Sequence, residues 1–125
     1  MIKRIGLCAL ALVACILSIQ AQTQVIAHRG FWKTEGSAQN SITALEKAAE
    51  AKLYGSEFDV LMTVDGKMVV NHDNTIEGMI IPETSYKQLK KLKIKNGEKL
   101  PTLKNYLKKG KKLDIQLILE AKPLP

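Results

Sequence analysis

Thiols are nearly missing from this chain. Among 125 residues only Cys8 and Cys15 are cysteines, so everything beyond the first fifteen positions has none. A disulfide-stapled secreted fold is thereby excluded. Arginine is also scarce: Arg29 is the only one after Arg4. There is no internal repeat. Long apolar runs are lacking too. Residues 5–19 carry no charge, but a segment of that length falls short of the ~20 residues that span a bilayer comfortably. The chain is also short. It has room for one modest domain, whereas a complete (β/α)8 barrel typically takes ~250 residues. What remains is an ordinary globular mixture, with 46% apolar and 25% charged residues and a formal net charge of +7.

The amino-terminal end reads as an address. Lys3 and Arg4 precede the uncharged run, and Ser18-Ile19-Gln20-Ala21 offers a small residue at a cleavage point after Ala21. Residues 1–21 are therefore expected to be a signal peptide, with the product exported to a bacterial periplasm or the extracellular space. Leu12-Val13-Ala14-Cys15 has the form of a lipobox, and lipidation at Cys15 is the alternative, the one route to a membrane. Simple secretion is preferred, because Ile16-Leu17 continue the apolar run where a lipoprotein turns polar. Cleavage leaves 125 − 21 = 104 residues and a charge of 7 − 2 = +5.

The remaining residues follow an α/β pattern. Residues 24–27 read as a buried strand running into His28-Arg29-Gly30. Asn40 or Ser41 can cap a helix with apolar positions at Ile42, Leu45, Ala48, Ala49 and Leu53, and Gly55 is expected to end it. Residues 56–63 form a strand with Phe58, Val60 and Met62 on one face and Glu57, Asp59 and Leu61 on the other. Asp65-Gly66 reads as a two-residue hairpin loop leading into residues 68–72. Residues 73–83 read as irregular. Ser85 to Gln88 has capping-box form before a short basic helix, and Asn96-Gly97 is a turn. A second short helix, running through Leu107, is expected to close at Gly110. Residues 113–120 are a final strand with Asp114, Gln116, Ile118 and Glu120 on one face.

The charged residues that could do chemistry collect at strand ends. A two-residue loop at Asp65-Gly66 would set Asp59 opposite His72, and Glu57 shares the face of Asp59. A solvated charged face is the plainer interpretation. It weakens because Phe58, Val60 and Met62 already supply the buried face. His28 directly follows an apolar strand, where α/β proteins put their sites. The planar fork of Arg29 suits a phosphate, and Gly30 lets the backbone approach a ligand. Glu120 and Lys122 share a face at the last strand's end. Carboxylates without cysteine suit a hard cation, Ca²⁺ or Mg²⁺. Two histidines can act as an acid–base pair near neutral pH. Together this equipment fits metal-assisted phosphodiester cleavage.

Val-Ile-Ala-His28-Arg29-Gly30, Gln39-Asn40-Ser41, Gly55-Ser-Glu57-Phe-Asp59-Val60, Thr63-Val-Asp65-Gly66, Val69-Val70-Asn-His72-Asp73, Leu100-Pro101-Thr102-Leu103 and Glu120-Ala-Lys122 occur in that order. This ordered set resembles the glycerophosphodiester phosphodiesterase family. The resemblance implies a TIM (β/α)8 barrel of the phospholipase-C-like phosphodiesterase type, here its first strands and helices only, over residues 22–125. It also implies hydrolysis of glycerophosphodiesters to sn-glycerol 3-phosphate and an alcohol. By the matching positions, Glu57, Asp59 and Glu120 would hold a divalent metal. His28 and His72 would be catalytic acid and base, and Arg29 and Lys122 would bind the substrate phosphate. The family's Pro-Glu-Asn stands here as Ala38-Gln39-Asn40, so Gln39 is left out of the metal site.

Two alternatives accompany that expectation. One is an inactive truncated remnant or a non-enzymatic binder of phosphate ligands. The other is a nucleic-acid or anionic-membrane surface, since residues 86–112 carry eleven lysines and one acid, Glu98. That segment has no arginine, and its lysines sit opposite Leu89, Leu92, Leu103 and Leu107, so solvated helix faces account for them and no nucleic-acid partner is expected.

Overall fold

The computed structural model describes residues 22–123. The expected signal peptide, its cleavage point after Ala21 and the alternative lipid site Cys15 lie outside the described residues. Among the described residues no helix is long and apolar enough to cross a membrane.

A single strand organises the molecule. Strand β2 (Gly55–Met62) is central to a four-stranded sheet. One edge of β2 pairs in parallel with β1 (Ile26–Ala27) at Gly55 and Ser56. Farther along the same edge it pairs antiparallel with β3 (Met68–Val70). The other edge pairs in parallel with β6 (Gln116–Ala121) over six residues. Between these strands run helix α1 (Ile42–Glu50), a small hairpin of β4 (Thr75–Ile76) and β5 (Met79–Ile80), the one-turn α2 (Tyr86–Leu89) and helix α3 (Leu103–Leu113). The order expected from the sequence holds, with one hairpin added.

Each face of β2 is buried against a different partner. Phe58 and Val60 pack with Leu45 of α1, Tyr106 of α3 and Val70. The Phe58 and Tyr106 rings stack with centroids 4.6 Å apart. Leu61, on the opposite face, packs with Val69, Ile76, Ile81, Leu89 and Leu100. This two-sided burial fixes the register of β3, because a one-residue slip would send each side chain to the wrong face.

That register corrects the hairpin expectation. Leu61 pairs with Val69 and Met62 with Met68, one residue out of step with a two-residue loop. The loop has three residues. Thr63 accepts from the Gly66 N–H at 2.9 Å, and Gly66 alone is left-handed, with φ +76°. Asp65 avoids the left-handed region. Its carboxylate instead accepts from the Thr63 hydroxyl (2.6 Å) and the Tyr86 N–H (2.9 Å). A type I turn followed by a left-handed glycine is the usual three-residue solution. Asn71, not His72, therefore lies across from Asp59, and its N–H donates to the Asp59 carbonyl at 3.2 Å.

Two helix ends and one stretch expected to be irregular also differ. Helix α1 stops before Gly55, in a Schellman motif with Lys52 at φ +54°. Lys52 donates to the Ala49 carbonyl and Leu53 to that of Ala48. Gly55 instead opens β2, where β6 comes so close that a Cβ would lie 2.6 Å from Ile118 Cδ1. Helix α3 runs past Gly110 to Leu113, and Asp114 closes it with φ +52°. Gly110 belongs to the packing: a Cβ there would meet Leu117 Cδ1 at 2.5 Å. Residues 73–83, expected to be irregular, contain the β4–β5 hairpin around Glu77-Gly78, both left-handed as its two-residue loop requires. Its strands of two residues are too short for an alternation signal.

Glu98, the lone acid of the lysine-rich segment, reaches across to the start of α1. Its carboxylate accepts from the N–H groups of Ile42 (2.9 Å) and Thr43 (3.1 Å) and from the Thr43 hydroxyl. Ser41 completes the cap, its hydroxyl accepting from the Ala44 N–H at 2.9 Å. A carboxylate at a helix N-terminus satisfies orphan donors and opposes the helix dipole. Burial pushes the Glu98 carboxyl up, but the hydrogen bonds from Thr43, Asn96 and Ile42 outweigh it and hold it below the usual range.

Candidate metal centre and phosphodiester site

Parallel pairing explains how the acids meet. Asp59 of β2 is in register with Glu120 of β6, so their side chains leave the sheet on the same face. Glu57 lies two residues earlier and shares that face. Glu57, Asp59 and Glu120 each offer an oxygen, and these atoms all lie within 4.8 Å of one another. Lys122, two residues beyond Glu120, follows on the same face and extends the ladder through its N–H to the Val60 carbonyl (3.0 Å).

Asp59 is fully buried and heavily partnered. Asn40 clamps it, donating from Nδ2 to Oδ2 (2.9 Å) and accepting the Asp59 N–H at 3.2 Å. Lys122 Nζ lies 2.8 Å from Oδ1, and Arg29 Nε 3.7 Å from Oδ2. Burial raises the Asp59 pKa, but the hydrogen bonds from Asn40 and Lys122 and the charges of Lys122 and His72 more than offset it. The carboxyl therefore sits below the usual range. Hydrogen bonds to Asp59, then to Glu120 at 2.5 Å, raise the Lys122 pKa.

The His28-Arg29-Gly30 stretch closes the site from β1. Arg29 adopts φ +60°, which turns its N–H onto Glu57 Oε2 at 2.9 Å. Gly30 follows at φ +78°, and only glycine fits there, since a Cβ would lie 2.6 Å from the Ala44 Cβ. The Arg29 side chain donates from Nη1 to Gln39 Oε1 at 2.9 Å. The imidazole of His28 is largely exposed, with Nε2 3.9 Å from Glu57 Oε2. His72 stands just beyond β3, one third exposed, with Nδ1 2.7 Å from Asp73 Oδ1.

Six of the expected residues, namely Glu57, Asp59, Glu120, Lys122, Arg29 and His28, thus come together. His72 sits at the margin, near enough for its charge to act on Asp59. Both expected phosphate-binding cations lean on carboxylates or an amide. Two residues were missed by sequence reasoning. Gln39, left out of the metal site, holds the Arg29 guanidinium, and Asn40, read as a helix cap and as part of the Gln39-Asn40-Ser41 match, is the clamp on Asp59. The signal for Asn40 is its place before the capping Ser41, where its φ of +60° aims the side chain back at β2.

The donor set fits a hard divalent cation. It is all oxygen, and Glu57 Oε1 is buried with no hydrogen-bond donor. An orphaned buried carboxylate oxygen beside two further acids is what a cation would satisfy.

Comparison with known proteins shows the family and the fold. Residues 28–124 match the model of the glycerophosphoryl diester phosphodiesterase family. A glycerophosphodiester phosphodiesterase of Caldanaerobacter subterraneus subsp. tengcongensis is 37% identical over 94 residues, covering 66% of this chain and 38% of that protein. A crystal structure of a glycerophosphodiester phosphodiesterase from Parabacteroides distasonis superposes with TM-score 0.79 at 59% identity, over 82% of this chain and 43% of that one. A phosphodiesterase from Oleispira antarctica, solved with the product sn-glycerol-3-phosphate, gives TM-score 0.73 at 28% identity, over 81% of this chain and 45% of that one. The chain thus spans less than half the length of each. Its sheet and helices form part of a TIM barrel, as the sequence led one to expect.

Proposed function

Because this chain belongs to the glycerophosphoryl diester phosphodiesterase family, we propose that its site serves metal-dependent hydrolysis of glycerophosphodiesters to sn-glycerol 3-phosphate and an alcohol. The observation that carries this reading is the convergence of Glu57, Asp59 and Glu120 on one face, bounded by His28 and cations. The product bound by the Oleispira antarctica relative supports a small-molecule phosphodiester as substrate.

The three acids would hold Ca²⁺ or Mg²⁺. Such a cation, when bound, draws charge from a phosphoryl oxygen and eases attack by water. The protein's own groups supply the rest. Asn40 and the Arg29 N–H keep Asp59 and Glu57 in place. Arg29 and Lys122 lie where positive charge can meet a phosphate as it enters among their present partners. His28, 3.9 Å from Glu57, and His72 at the margin of the site serve as the acid–base pair. The exposure of Glu120, 53% at its side chain, favours one second reading, a binder of phosphate ligands without turnover. Export with cleavage after Ala21 belongs to the same proposal, with Cys15 lipidation as its alternative. Mass spectrometry of the secreted product separates them, since simple cleavage leaves Gln22 first.

The deciding assay follows glycerophosphocholine hydrolysis by the purified chain, with chelator, with Mg²⁺ and with Ca²⁺. Expected is turnover that one of the two cations restores and that His72→Ala abolishes. Turnover indifferent to chelator, or none from a folded sample, overturns the enzymatic reading.

A further inference from the structure

A cavity of about 420 Å³ opens beside the carboxylate cluster, with His72 in its wall. That volume suits a small organic group. Asn71, Asp73, Glu77, Lys93 and Lys95 also line it, and no aromatic residue does. Lys93 bridges Lys99, and Lys95 opens the turn that the Gly97 N–H closes onto the Ile94 carbonyl at 2.8 Å, yet both lysines reach the same wall. Ile94 between them packs into the core cluster of Leu61 and Leu89. Among the described residues, neither lysine and not Glu77 takes part in an ion pair. Asp73 is already engaged by His72.

The cavity wall therefore presents two uncommitted ammonium groups and one uncommitted carboxylate. A quaternary ammonium group seeks aromatic faces, and this wall has none. A carboxylate seeks paired cations. With His72 taken as the member of the pair that protonates the leaving alcohol, its ring touches the alcohol's oxygen and the alcohol beyond it fills the space His72 lines. We propose that this cavity receives the alcohol moiety of the substrate and selects a zwitterionic head group, a serine-like one. Its carboxylate meets Lys93 and Lys95, and its ammonium meets Glu77. The inference rests on the hydrolase reading of the adjoining site and names that site's substrate class.

The test is equilibrium binding to the full chain by calorimetry, with glycerophosphoserine, glycerophosphocholine and sn-glycerol 3-phosphate as probes. The serine diester is expected to bind about tenfold more tightly than the choline diester. In the Lys93→Gln, Lys95→Gln double variant that ratio is expected to fall to about one. Both lysines are exposed, so the variant is expected to fold, and circular dichroism checks this. Equal affinity for the two diesters, or a serine preference that survives the double substitution, overturns the inference. If sn-glycerol 3-phosphate binds and no preference appears, the head-group assignment alone fails. If none of the three binds, the hydrolase reading fails with it.

Discussion

Strands β2 and β6 lie side by side and contribute to the same site, yet they are held in opposite ways. The β2 strand is buried on both faces and paired along both edges. Its Asp59 is inaccessible to solvent and bonded to Asn40, Lys122 and the Arg29 region. Among the described residues the β6 strand pairs only with β2, Leu119 is 46% exposed, and the bonded partner of Glu120 is Lys122. One carboxylate is thus fixed before any ligand arrives, and the other is free to adjust. Preorganisation rests on the surrounding shell, not on the ligand residue itself.

The sharpest way to break this contrast is Asp59→Ala. It leaves Lys122 and Arg29 without their shared anion and should cost about 3–5 kcal/mol, read by urea denaturation, while also abolishing metal-dependent turnover. Phe58→Ala should cost a comparable ~3–5 kcal/mol through the cavity left against Tyr106, whereas Leu119→Ala on β6 should stay within about 0.5 kcal/mol. Equal losses at the two positions would erase the distinction.

Glu98→Gln comes next, at about 1–2 kcal/mol near neutral pH. The sign follows from its lowered folded pKa. The stabilisation is full above the unfolded value of about 4.3 and is lost as pH falls through the folded value. Denaturation midpoints should therefore drop less between pH ~6 and ~3 in the variant than in the parent, with Asp59 supplying a remaining slope of the same sign. The smallest effect on stability belongs to Glu120→Gln, within about 0.5 kcal/mol, though cation affinity measured by titration should fall more than about tenfold. A large loss of fold stability there would show that β6 is as firmly held as β2.

The face assignment of β2 was legible because strict alternation separates Phe58 and Val60 from Glu57 and Asp59. Ser41 and the helix after it were legible from cap and spacing. The hairpin register was not, because Asp-Gly serves loops of two or three residues, and the choice fell to core burial of Leu61 and Val69. Gly55 and Gly110 looked like helix ends, although each is small because a neighbouring chain comes close. Asn40 escaped as a clamp because its partner lies nineteen residues away and the left-handed turn that aims it leaves no pattern in composition.

The sequence alone determined which residue types gather, since period-two alternation is local backbone geometry and the ordered motifs carry it from strand to strand. Tertiary structure alone decided which atoms pair. The in-register alignment of Asp59 with Glu120, the capture of the first turn of α1 by Glu98 and the seating of Lys122 between two acids each require distant segments to meet, and local propensity holds no information about such encounters.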